Sequence, residues 1–141
     1  MLPDTKMAET APYGMSSLAL AHVGDAVYEL MVRARLCQVQ RTAAKLHAAT
    51  VRLVCAPAQA GAAQQILPEL TEKEREIFMR ARNAQPHHVP HGARGAQYAL
   101  ATALEALFGS LYLSGEHARA EALFNICWTV SQGTESPAGQ G

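Results

Sequence analysis

The sequence predicts an all-α fold. Alanine and leucine dominate a chain in which 49% of the residues are hydrophobic, and apolar residues recur at helical spacing. Alternating runs of β-branched or aromatic residues, which mark strands, are scarce. With 141 residues, the chain is long enough for one compact domain. We expect that domain to cover residues 14–131, between a flexible N-terminus (1–13) and a disordered tail (132–141).

Turn and capping residues divide the domain into helices. Pro57 suits the first turn of the third helix, and Thr71 with Glu74 forms a capping-box pattern that starts the fourth. Two prolines and two glycines in QPHHVPHGARG, residues 85–95, predict a long loop before the fifth helix. The predicted helices span about 15–37, 42–54, 57–68, 71–83, 96–113 and 116–130.

The cysteines and the apolar pattern predict the compartment. Cys37, Cys55 and Cys127 are odd in number and far apart, so neither a disulfide framework nor a zinc knuckle follows, and a reducing cytoplasm fits. No apolar run approaches the ~20 residues of a membrane span. The N-terminus also lacks the basic and then apolar pattern of an export signal. We therefore expect a soluble cytoplasmic protein with no membrane partner.

Charge is unevenly distributed along the chain. The formal net charge is zero, which argues against binding to nucleic acid by bulk charge alone. However, residues 31–67 and 77–104 contain arginines, lysine and histidines but no acid. Isolated carboxylates thus lie between long basic stretches. This pattern fits solvated helix faces as well as a surface that binds an anion.

Two of the predicted helices carry a carboxylate among small residues. Asp25 follows Gly24 in the first helix, and Glu105 shares a strip of the fifth helix with Thr102 and Gly109. Small side chains let helix axes approach more closely than the usual ~8 to 10 Å. We expect these helices to cross there and to bring the two carboxylates together.

Paired carboxylates in a partly apolar crevice repel each other unless they are protonated or bridged by a cation. Mg²⁺ is the natural bridge, because it takes oxygen ligands and completes its shell with water and phosphate. Such an ion can activate water for attack on a phosphodiester. The spacing alone leaves the alternative open that Asp25 forms local hydrogen bonds and Glu105 is simply exposed.

The residues around both carboxylates resemble a known family. LALAHVGDAVYELMVR, residues 18–33, resembles the signature helix of ribonuclease III, and TALEALFGSLYL, residues 102–113, resembles that family's second acidic helix. With the intervening ARNA, residues 81–84, the order and separation resemble Mini-ribonuclease III, the short bacterial form. The resemblance implies a ribonuclease III-like helical endonuclease domain over about residues 16–130.

The resemblance also implies an activity and its residues. It implies a homodimeric endoribonuclease that cuts double-stranded RNA with Mg²⁺, or with Mn²⁺ as a substitute, and matures the ends of the 23S ribosomal RNA precursor. Asp25 falls on the family's catalytic aspartate, and Glu105 falls on its metal-binding glutamate. A metal-activated water would be the nucleophile, so a Ser, Cys or His nucleophile is not needed.

The chain departs from the larger ribonuclease III pattern at two acidic positions. Ala21 and Thr102 stand where that pattern has carboxylates, and Mini-ribonuclease III resembles this chain in both losses. Arg94 lies near a position where some relatives carry an acid. Asp25 and Glu105 therefore supply about one ion's worth of charge, and water and RNA phosphate must supply the rest. Glu29 fits either a water-mediated ligand or, as we favour, a surface residue.

Double-stranded RNA is held mainly through phosphates and 2′-hydroxyls, so we expect cations beside the carboxylates. The loop of residues 85–95 contains His87, His88 and His91. These histidines fit three roles: contact with phosphate, exposure to solvent, or a zinc site. His22 is expected to pack or to contact a second subunit. The predicted RNA-binding residues are Arg80, Arg82, Asn83, His87, His88 and Arg94.

Two other functions remain open from the sequence. The missing acids fit a catalytically weakened RNA-binding dimer of the same fold. The neutral net charge fits a helical interaction module with no role in RNA chemistry.

Overall fold

The computed structural model describes residues 11–39, 42–84 and 92–134, and these residues form helices and turns without a strand. The all-α prediction is thus confirmed. Short 3₁₀ helices cover Ala11–Gly14 and Leu67–Glu69. Within the described residues, no helix is long and apolar enough to cross a bilayer. The α-helices are α1 (Ser17–Leu36), α2 (Ala43–Val54), α3 (Ala56–Ile66), α4 (Glu72–Asn83), α5 (Ala93–Leu113) and α6 (His117–Thr134).

Helix α5 forms the centre of the domain. From Ala101 to Leu113 nearly every side chain is buried, and Leu104, Leu107 and Phe108 are fully excluded from solvent. A helix that is apolar all round must be covered on all sides, and α5 packs against α1, α3, α4 and α6. These four helices therefore surround α5, whereas α2 packs on α1 and α3.

The predicted crossing of α1 and α5 is present, and two glycines allow it. A Cβ atom on Gly24 would lie 1.5 Å from the carbonyl oxygen of Glu105. A Cβ atom on Gly109 would lie 2.1 Å from the carbonyl oxygen of Leu20. Real Cβ atoms do not approach so closely, so the two backbones are in direct contact and no larger residue fits at either position.

An ion pair joins the start of α4 to α6. The Thr71 hydroxyl accepts from the Glu74 amide, and the Glu74 carboxylate accepts from the Thr71 amide, which confirms the predicted capping box. The same carboxylate accepts from Arg119 at 2.9 and 3.0 Å, and Arg119 also donates to the Glu69 carbonyl. Burial raises the pKa of Glu74, but hydrogen bonds from Arg119 and Thr71 outweigh it and hold the pKa below its usual value.

The sequence placed the start of α5 too late. Gly92, with φ 75°, precedes the helix, and its carbonyl accepts the Ala96 amide. The helix thus begins at Ala93 rather than at residue 96, and Arg94 belongs to its first turn rather than to a loop. Gly95 predicted a break in the helix. The residues that follow it pack into the core from Ala101 onward, and the helix continues back through Gly95 to Ala93.

The ends of the described chain also differ from the predicted elements. Helix α6 continues to Thr134, past the predicted residue 130, and the Ser131 hydroxyl donates to the Trp128 carbonyl near its end. Residues 11–14 form a 3₁₀ helix in which Pro12 is buried. The rest of the predicted flexible N-terminus, residues 1–10, and the tail from 135 to 141 lie outside the described residues.

Candidate active site

Asp25 and Glu105 meet at the crossing of α1 and α5. Gly24 abuts the backbone of Glu105, so the next residue, Asp25, is brought beside the Glu105 side chain. The two carboxyl groups are close enough for Asp25 to raise the pKa of Glu105. Asp25 is exposed and Glu105 is half-buried, so the pair lies at the rim of the crossing, accessible from solvent.

The pair is electrostatically unfavourable without a proton or a cation. Burial and the hydrogen-bonding and charge interactions with Asp25 raise the pKa of Glu105 to about 8. At neutral pH the metal-free pair therefore retains a proton, because two adjacent carboxylates resist ionising together. A divalent cation would relieve the same repulsion. Two carboxylate oxygens open to solvent fit a hard ion that keeps several waters and accepts phosphate oxygens.

The positions one turn before each carboxylate add no charge to this site. Ala21 is nearly buried, and the Thr102 hydroxyl donates to the Tyr98 carbonyl at 3.0 Å. Across residues 11–39, 42–84 and 92–134, no group of three or more His, Cys, Asp or Glu side chains is arranged to hold a metal. Within the described residues the candidate site thus has two carboxylates, and a cation bound there would take its other ligands from water or substrate.

Two neighbours on α1 have other roles. Glu29, one turn beyond Asp25, forms an ion pair with Arg33 at 3.1 Å, as expected of a surface residue. His22 is exposed one turn before Asp25. Glu29 is therefore paired with Arg33 and not with the two carboxylates, and His22 faces solvent.

Sequence reasoning missed an aromatic layer beneath the pair. Tyr28 follows Asp25 by one turn, and Phe108 follows Glu105 by one turn, and their rings meet edge to face at 5.2 Å. Phe124 of α6 contacts both rings, at 5.4 and 6.4 Å. Such arrangements are favoured by the ring quadrupole, so the layer fixes how α1 is rotated against α5. Tyr28 and Phe108 follow their carboxylates at the same spacing. This shared spacing is the sequence signal that could have indicated the aromatic layer.

The predicted RNA-binding residues fall into three groups. Arg82 and Asn83 are exposed at the end of α4, and Arg94 is exposed at the start of α5, so these side chains flank residues 85–91. Arg80 instead donates to the Ser17 hydroxyl and to the Met15 carbonyl, which ties α4 to the start of α1. The loop histidines, His87, His88 and His91, lie outside the described residues.

Comparison with known proteins identifies the class to which this fold and carboxylate pair belong. The ribonuclease III domain family matches residues 18–116, a span that includes both Asp25 and Glu105. A crystal structure of a protein from Fusobacterium nucleatum superposes with a TM-score of 0.76 at 29% identity, covering 89% of this chain and 99% of that one.

Similarity to curated proteins indicates the branch of this family to which the chain belongs. The chain is 42% identical over 109 residues to a Mini-ribonuclease 3 from Symbiobacterium thermophilum, covering 77% of this chain and 84% of that protein. It is 39% identical over 116 residues to a Mini-ribonuclease 3 from Enterococcus faecalis, covering 80% and 88%. The chain therefore belongs to the ribonuclease III family, in its Mini-ribonuclease 3 branch, and is an endoribonuclease. The family acts on double-stranded RNA, generally depends on a divalent metal and is typically dimeric.

Proposed function

We propose that this chain is a cytoplasmic, Mg²⁺-dependent endoribonuclease that cleaves double-stranded RNA through Asp25 and Glu105. The proximity of these two carboxyl groups, at a crossing that only glycine permits, carries the proposal. Mn²⁺ is expected to substitute for Mg²⁺, because it also takes oxygen ligands. The substrate we favour is the precursor of 23S ribosomal RNA, at the ends of the mature sequence.

The residues of the site have separable tasks. Asp25 and Glu105 would hold the ion, and the ion, when bound, supplies the Lewis acid that activates water and stabilises charge on the phosphate. Glu105 must give up its proton for the site to bind a cation with full charge, since its pKa is raised to about 8. Gly24 and Gly109 keep the two carboxylates at contact distance. The aromatic layer below keeps them in register.

We propose that exposed cations around the site hold the RNA backbone. Arg82 and Arg94 lie on either side of residues 85–91, and Asn83 adds a polar contact. We include His87 and His88 in this surface on the strength of the sequence alone. Arg80 is assigned an indirect part, because its contacts with Ser17 and Met15 position the end of α4.

A homodimer is part of the proposal, with each subunit cutting one strand. Leu18 and Leu30 are 48% and 50% exposed on α1, on either side of His22 along the helix. These side chains are separate exposed positions and form no single patch, so the proposed dimer rests on the family, which is typically dimeric. Light scattering at micromolar concentration tests this step, and a monomer would contradict the paired cut.

Cleavage of a duplex RNA in Mg²⁺ tests the proposed reaction. Wild type is expected to cut, and Asp25→Asn is expected to bind the duplex equally well but to cut at least ~100-fold more slowly, because one of two metal-holding carboxylates is lost. Glu29→Gln is the matched control, since it removes a carboxylate from the same helix outside the pair. Equal cleavage by wild type and Asp25→Asn would refute the proposed role of Asp25.

A second candidate function is a weakened RNA-binding dimer. The observation in its favour is that Ala21 and Thr102 leave the site with two carboxylates. Duplex binding without cleavage by the wild type, in Mg²⁺ and in Mn²⁺, would support it.

A separate experiment tests the favoured substrate. Cleavage of a 23S precursor transcript at the mature ends would support that substrate, and cleavage restricted to other duplexes would exclude it.

A further inference from the structure

A cavity of about 270 Å³ lies between α1, α2, α3 and α6, away from the carboxylate pair. Tyr28 and Val32 form its wall on α1, Pro57 and Gly61 form its wall on α3, and Trp128 belongs to α6. The lining is mainly aromatic and aliphatic. The volume is just below the roughly 300–1,000 Å³ usual for sites that hold drug-sized molecules, so it suits a compact ligand.

Gly61 has no steric reason within the described chain to be glycine. It lies inside α3, where glycine is about 1 kcal/mol less favourable than alanine. A Cβ atom on Gly61 would meet no atom within 4 Å, whereas Gly24 and Gly109 are forced by backbone contact. The space in front of Gly61 is the cavity. A side chain longer than a methyl group at this position would extend into it.

The wall that faces Gly61 is held in place by Arg35. Its guanidinium lies 5.0 Å from the centre of the Phe124 ring and 5.6 Å from that of Trp128, and it also donates to Asn125. Cation–π contacts of this kind stabilise aromatic side chains in one orientation. Burial raises the pKa of the Tyr28 hydroxyl and of the neighbouring Cys127 thiol, so both groups stay neutral. The aromatic wall is therefore fixed and carries no charge of its own.

Arg52 gives the cavity a single charge. It is the one charged side chain among the described residues that line the cavity. Its guanidinium has no ion-pair or hydrogen-bond partner within the described parts of the chain. An apolar chamber with one unpaired cation at its mouth is complementary to a molecule with an apolar body and one negative group.

We propose that this cavity binds a small amphipathic anion, with its apolar body against Gly61 and Trp128 and its carboxylate, sulfonate or phosphate group on Arg52. The site is independent of the proposed cleavage reaction. Tyr28 belongs both to its wall and to the aromatic layer, so the layer separates the ligand from Asp25 and Glu105.

Octanoate and its neutral analogue 1-octanol are the probes. Trp128 is the only tryptophan of the chain, so its fluorescence reports directly on the cavity, and calorimetry gives the stoichiometry. Octanoate is expected to bind the full chain saturably, one molecule per chain, and to shift the Trp128 emission to shorter wavelength. Octanol is expected to bind about tenfold more weakly, because a charge-assisted hydrogen bond to Arg52 is lost.

Two variants separate the parts of the proposed site. Arg52→Gln is expected to weaken the binding of octanoate about tenfold and to leave the binding of octanol unchanged. Gly61→Leu is expected to abolish binding of both, because the side chain fills the cavity. Arg75→Gln and Gln64→Leu are the matched controls, since both residues are exposed outside the cavity. Near-ultraviolet circular dichroism shows whether each variant retains the native fold.

Three results would overturn the proposal. The first is a lack of saturable octanoate binding to the wild type. The second is a folded Gly61→Leu variant that binds as tightly as the wild type. The third is binding that appears only after residues 135–141 are removed, which would assign the cavity to the chain's own tail.

Discussion

Two glutamates of this domain, one buried and one half-buried, have opposite surroundings. Glu74 faces Arg119 and the Thr71 amide, and these partners hold its pKa below the usual value despite burial. Glu105 is partly buried against Asp25, which together with burial raises its pKa to about 8. The fold itself provides cationic and amide partners for the first carboxylate, whereas the second must keep a proton or take up a cation. A carboxylate without a cationic partner in a rigid place indicates a functional site.

The largest expected effect comes from disturbing the crossing that creates the Glu105 environment. Gly24→Ala places a Cβ atom 1.5 Å from the Glu105 carbonyl oxygen, so α1 and α5 must separate. We expect a loss of about 3 kcal/mol or more in the free energy of unfolding, since overpacking typically costs 1–3 kcal/mol and the contact here is with backbone. Urea denaturation measures it.

Gly61→Ala is the matched control for that experiment. Because its Cβ atom meets nothing within 4 Å, we expect it to stabilise the domain by about 0.5–1 kcal/mol. Equal destabilisation by the two substitutions would contradict the close crossing.

The next largest loss of stability is expected when the carboxylate of Glu74, which is paired with Arg119, is removed. Glu74→Gln weakens the ion pair with Arg119, and we expect a loss of about 2 kcal/mol, because hydrogen bonds between charged groups contribute roughly 1.5–3 kcal/mol. Cleavage of duplex RNA per folded molecule is expected to be unchanged. Thermal unfolding measures the loss, with Glu72→Gln as the control in the exposed first turn of the same helix. Similar stability of Glu74→Gln and Glu72→Gln would show that the ion pair is dispensable.

The pH dependence of this difference has a definite sign. The folded pKa of Glu74 lies below its unfolded value of about 4.5, so its contribution is fully present above pH ~4.5 and is lost as pH falls through the folded pKa. The stability gap between wild type and Glu74→Gln should therefore close in acid. Unfolding curves between pH 7 and pH 3 provide the test, and a gap that widens in acid would be inconsistent with a lowered pKa.

The smallest effect on stability is expected when Glu105, the carboxylate without a cationic partner among the described residues, is replaced. In metal-free buffer at neutral pH, Glu105→Gln removes the cost of keeping this carboxyl group protonated beside Asp25, so the domain should be as stable as wild type or up to about 1 kcal/mol more stable. Cleavage should nevertheless be lost. A marked destabilisation in the presence of a chelator would mean that Glu105 supports the fold instead of a metal.

Local patterns made much of this molecule predictable from its sequence. The capping box at Thr71 and the close approach at Gly24 depend on residue types with few structural roles, and both were predicted correctly. The start of α5 was placed too late, because Gly95 is a weak helix former locally but is followed by a long buried segment. Tertiary packing therefore decides that boundary.

Contacts between distant helices could not be read from the sequence. The hydrogen bonds of Arg80 to Ser17 and Met15 join residues far apart in the chain, and its predicted contact with RNA stays a prediction. The Tyr28 and Phe108 rings share a spacing from the carboxylates, but that spacing is informative only once the crossing is known. The metal and RNA roles of the site residues stay predictions.

Metal binding tests the central claim most directly. Calorimetric titration with Mn²⁺, in the absence of RNA, compares wild type with Asp25→Asn, Glu105→Gln and the control Glu29→Gln. The proposed site predicts saturable binding of the ion to wild type and Glu29→Gln, and a loss of at least ~10-fold in affinity in each of the other two variants. Wild-type affinity in Asp25→Asn or in Glu105→Gln would contradict a metal site formed by this pair.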